Sequence, residues 1–163
     1  MPTKIHRILI GLSASLLLAD YADSKAASDP EPGPHYTRAR ELYALGPEKA
    51  DEIIKEPDLE LVDHPESLQA LSLKANAQIG VGQFDGALAT LDRYDEITRK
   101  ADTISPVGIF LRARCLYHKG DYESARLHLE PFWAFFQDSD GNKAKYDDLM
   151  AAIVAKLPPP KEK

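Results

Sequence analysis

Residues 71–92 and 109–130 are one segment written twice, at a constant offset of 38 positions. Leu73, Lys74 and Ala75 return as Leu111, Arg112 and Ala113. Ala77 returns as Cys115, Gly82 as Gly120, Phe84 as Tyr122, Ala87 as Ala125, Leu91 as Leu129 and Asp92 as Glu130. Self-similarity at a fixed period of roughly 20–50 residues marks stacked supersecondary units, none of which can bury its apolar face alone. This narrows the fold before any single motif is weighed.

Within the units the apolar period is three to four, the spacing of a helix face. Leu68, Leu71, Ala75 and Ile79 predict a helix over 65–80. Ala87, Leu88, Leu91, Tyr94 and Ile97 predict another over 83–99, entered through a turn at Val81-Gly82. Ser105-Pro106 opens a helix to Lys119, serine as cap and proline in the first turn. Gly120-Asp121 turns and caps a helix over 122–137, which Pro131 should kink or restart. Asp138 to Asn142 breaks the chain. A last helix over 143–157 sets Tyr146, Leu149, Met150, Ile153, Val154 and Leu157 on one face, with Lys143, Lys145, Asp147, Asp148 and Lys156 outward. Upstream, 35–45 reads as a helix stopped near Gly46-Pro47, and 48–56 as a second stopped by Pro57. Residues 57–64 read as a polar connection, with Asp63 as the next cap. No stretch alternates with period two. The expected class is all-α: a short α-solenoid of three antiparallel helix pairs plus a C-terminal capping helix, one domain over 35–157.

The chain ends read differently. Lys4, His6 and Arg7 precede an uncharged apolar run, Ile8 to Ala19, and Ser24-Lys25-Ala26 fits small-x-small cleavage. The expectation is a signal peptide over 1–26 and a proline-rich leader over 27–34. A disordered tail follows at 158–163. The apolar run is short of the roughly 20 residues a spanning helix needs, so no stable membrane insertion is expected after cleavage. A core helix of a cytosolic protein and a retained anchor are the alternatives. The single cysteine, Cys115, cannot form an internal disulfide. With export, that favours the bacterial periplasm or cell exterior over a small stapled extracellular domain.

The duplicated unit resembles the tetratricopeptide repeat, a helix–turn–helix of about 34 residues. Leu71, Ala75, Gly82, Phe84, Ala87 and Leu91 match it over 68–101, and Ile109, Ala113, Gly120, Tyr122, Ala125 and Leu129 over 106–139. A degenerate first unit covers 31–64, where Ala50 and Ile54 can be placed. The chain departs from the pattern at Tyr94 and Phe132, which replace small residues, and at Lys74 and Arg112, which replace leucine. The resemblance implies that Ala75 faces Ala87, and that a partner binds the concave face lined by each unit's first helix. Here those positions are Gln69, Ser72, Asn76 and Ile79, then Val107, Phe110, Arg114 and Tyr117. Some members grip a peptide's terminal carboxylate with a lysine and an asparagine on the first helix. Asn76 fits one such place, but Ser72 stands where the lysine would be, so that grip is not expected.

Chemistry is sparse. A net charge of −6 argues against nucleic acid. Cys115, His118 and His128 supply three ligands where a structural zinc site takes four, so Cys115 is expected in the core and the histidines at the surface. Asp138 to Asn142 lacks the order of a calcium loop. No phosphate loop, nucleophile elbow or paired acid and base is present; no enzyme, cofactor or metal is expected. Phe132, Trp133, Phe135 and Phe136 cannot all face one side of a helix, so at least one should be exposed. The expected function is a protein–protein adaptor or scaffold of the bacterial envelope. The alternatives are a cytosolic secretion chaperone, with 5–19 as a dimerisation helix, and a homodimer through Phe132–Phe136.

Overall fold

A computed structural model describes residues 33–45, 49–137 and 140–159; the expected signal peptide, nearly all of the leader and most of the tail lie outside them. The described residues are all-helical, without a strand. Seven α-helices run in order: α1 Pro34–Leu45, α2 Ala50–Asp63, α3 Leu68–Gly80, α4 Phe84–Lys100, α5 Pro106–Lys119, α6 Tyr122–Leu129 and α7 Asp140–Val154. A 3₁₀ segment, Glu130–Phe136, joins α6 to α7. No described helix is long and apolar enough to cross a membrane.

The two copies of the repeated segment make the same turn. At the first, the Gly82 amide donates to Ile79 O and the Gln83 amide to Gln78 O. At the second, Gly120 donates to Tyr117 O and Asp121 to Leu116 O, each partner displaced by the repeat offset. Gly82 and Gly120 sit at φ 79° and 90°, the left-handed conformation that closes a helix and that a Cβ would strain. The shared small and apolar positions form the interior: Ala75, Ala87, Leu91, Ala113, Ala125 and Leu129 are fully buried. Ala75 and Ala87 belong to one core cluster, completed by Ile79, Val107, Leu111 and Cys115.

Successive helices pack against one another along the chain, and α4 and α5 run antiparallel. Asp85 at the start of α4 pairs with Lys119 at the end of α5, and Asp95 meets Arg112 further back. A second set of contacts links helices two apart: α1 with α3, α3 with α5, and α5 with α7. The even-numbered helices have no comparable contact with one another. The odd helices therefore lie together on one side. Lys74 and Arg112, equivalent in the two units, both reach back to carboxylates on the preceding helix. Lys74 meets Asp58, and Arg112 meets Asp92 and Asp95. The basic residues at these places thus bind one unit to the one before it.

Several helix bounds differ from the sequence expectation. α2 does not stop at Pro57 but runs through it to Asp63. Ile53, Pro57 and Leu61 fall four apart on the buried face, so the ring serves as core. Burying such a group returns about 1.5–3 kcal/mol, comparable to the ~3 kcal/mol a mid-helix proline costs. The polar connection shrinks accordingly. The cap of α3 is Ser67, whose hydroxyl accepts from the Ala70 amide at 3.2 Å, rather than Asp63. Pro34 opens α1 instead of closing the leader. The Glu60 carboxylate of α2 accepts from the Tyr36 amide at 3.1 Å, satisfying a free donor in the first turn of α1. α7 starts at Asp140 and buries Tyr146, Leu149 and Ile153, but Val154 is exposed. Pro131 does end α6, after which Trp133 (57% exposed) and Phe135 (41%) point outward while Phe136 is buried.

Candidate functional site

The eight residues expected on the concave face divide sharply by position. Three are core. Ile79 has no exposed surface and Val107 is buried in the same cluster, while Phe110 is buried with its ring 6.4 Å from Phe136. Ser72 is also buried, and its hydroxyl donates back to Gln69 O within the helix at 2.9 Å. Gln69, Arg114 and Tyr117 keep partial exposure.

Asn76 links the group together. It is only 2% exposed. Its amide nitrogen donates to the Tyr43 hydroxyl at 2.8 Å, and its oxygen accepts from Arg114 Nη1 at 2.8 Å. Tyr43 stands on α1, Asn76 on α3 and Arg114 on α5, so a polar ladder crosses the three odd helices in register. Asn76 and Arg114 are separated by the repeat offset itself. Tyr43 was not among the expected residues. The weak match of the first unit hid it, although it is the only tyrosine in the last turns of α1.

Burial dominates the electrostatics of Arg114 and pulls its guanidinium below its ordinary value, opposed in part by Tyr43 and Cys115. Among the described residues no carboxylate pairs with it. Arg112, two positions earlier, holds two. Tyr117 lies one turn beyond Arg114, its ring 5.6 Å from Tyr122 and 5.1 Å from His118. His118 in turn stacks on Phe84 at 6.5 Å. Burial, then Arg114, lowers the His118 pKa.

His118 and His128 are half-buried rather than at the surface. The pKa of His128 is lowered by burial first and Arg112 second, with Asp95 opposing, and its Nε2 has no hydrogen-bond partner among the described residues. Cys115 lies in the core, its thiol donating to Phe84 O at 3.5 Å. Burial raises its pKa, which keeps it a protonated thiol rather than a nucleophile. Among the described residues no group of three or more acidic, histidine or cysteine side chains is placed to hold a metal ion.

Neither a protein-family model, a curated protein nor a solved structure matches this chain.

Proposed function

We propose that this chain is a non-enzymatic adaptor of the bacterial envelope. Its helix pairs stack in the manner of tetratricopeptide repeats, and it binds a protein or peptide segment on the side formed by the odd helices. The observation that carries the reading is the contact pattern. Helices two apart pack on the odd side and have no comparable contact on the even side, which suits a stack curved toward the odd side. Alternating close and open sides is how repeat stacks build concave binding surfaces. Along that side Gln69, Arg114 and Tyr117 retain exposure beside the buried amide of Asn76. An amide, a guanidinium and an aromatic ring suit a peptide segment.

Export and partner binding are tested separately. N-terminal sequencing of the protein purified from its native host should begin at Ala27; retention of Met1 would favour the cytosolic chaperone. For the surface, wild type and the Arg114→Ala/Tyr117→Ala pair are compared as baits against envelope extract. Partners held by the odd side should be lost from the variant. Recovery equal to wild type would remove that side from consideration.

A further inference from the structure

Arg114 carries a charge that is partly withdrawn from water and that no carboxylate among the described residues neutralises. Among the described residues its one hydrogen bond is to the side chain of Asn76, which is held in turn by Tyr43. A guanidinium has five N–H donors, and a cation taken from water without a counter-charge is costly. The Asn76 amide has used an oxygen and a nitrogen already, and the Ser72 hydroxyl is spent on its own helix. The fold thus fixes the orientation of a fork while leaving most of its donors unspent. Phe110, one turn before it on the same helix, is buried, and Tyr117, one turn on, keeps partial exposure.

We propose that Arg114 is the receptor for a single carboxylate of the bound segment, an internal aspartate or glutamate side chain set among apolar residues. The inference rests on the peptide-binding reading above. Charge complementarity selects the occupant: a planar fork matches a carboxylate through two parallel hydrogen bonds. One guanidinium balances one negative charge. A phosphate dianion, or a terminal carboxylate beside an acidic side chain, would bring a second charge that no described neighbour of Arg114 balances.

The test pans a random display library of ten-residue peptides on the full chain, each peptide fused at its C-terminus so that it offers no terminal carboxylate. The expected winners carry aspartate or glutamate at one fixed place among apolar residues. Replacing that acid by its amide should weaken binding to wild type at least tenfold, and Arg114→Met should bring the two peptides level. Arg114→Lys keeps the charge but loses the fork; it should weaken the acidic peptide several-fold and leave the amide peptide unchanged. That second variant decides the matter if Arg114→Met does not fold. Winners that depend on Tyr117 but bind equally as acid and amide would overturn the carboxylate and leave the peptide-binding side standing. Failure to enrich any peptide, or winners indifferent to both Arg114 and Tyr117, would overturn the two together.

Discussion

At the scale of single residues, large and small side chains are matched in pairs that the repeat does not share. Tyr94 is fully buried. The room comes from Gly108 on the facing helix, where a Cβ would lie 2.8 Å from the Tyr94 ring. Gly108→Ala is therefore expected to destabilise by about 1–3 kcal/mol despite its better helix propensity. Adding Tyr94→Leu should recover part of that loss, a coupling that denaturant titration of the single and double variants measures. A second residue-scale effect is a pH dependence. His118 and His128 both have folded-state pKa values held below the unfolded value of about 6.5. The unfolded chain then takes up protons first as pH falls. Stability should be full above about pH 6.5 and decline below it, until the folded histidines also titrate. Thermal melts between about pH 7.5 and 5.5 check this, and His128→Gln should flatten the slope.

At the scale of elements, the caps repay close reading. Ser105 takes two roles at once: its hydroxyl accepts from the Gly108 amide at 3.4 Å and lies 2.6 Å from the Tyr94 hydroxyl. Ser105→Ala should cost about 1–2 kcal/mol, more than a lone cap, because it also removes the hydrogen bond between Ser105 and the Tyr94 hydroxyl. Calorimetry with Asp121→Ala as the comparison separates the two, since Asp121 caps α6 at an exposed site. These helix starts were legible because local chemistry decides them: Ser105-Pro106 and Gly120-Asp121 signal the same thing in isolation and in the fold. Pro57 was not legible. Alone it reads as a stop, and only the packing of Ile53 and Leu61 on either side makes it part of a buried stripe.

At the scale of the whole molecule, the sequence announced the helices but not how far they close over one another. The sequence places Ser72, Asn76 and Ile79 on the first-helix face, and nothing local reveals that they are enclosed. For Asn76 that depends on Tyr43 of α1, whose unit matches the repeat poorly. Its Tyr36 and Ala39 nonetheless pack on Leu73, and Leu42 packs with Ile53 on Ala77. The same enclosure hid the ladder from Tyr43 to Arg114, because a residue from the weakest unit completes it. α3 is thereby touched by α1, α2, α4 and α5, and nearly every side chain from Ala70 to Ile79 is buried. A chain whose contacts run mainly between neighbours opens from its ends inward. Amide hydrogens of α3 should therefore exchange with solvent deuterium last, at a rate set by global unfolding, and those of α1 and α7 well before. A mass-spectrometric time course would show this order. The helix at the centre of the stack would then serve as the molecule's clock, since it reaches water only when the whole chain has let go.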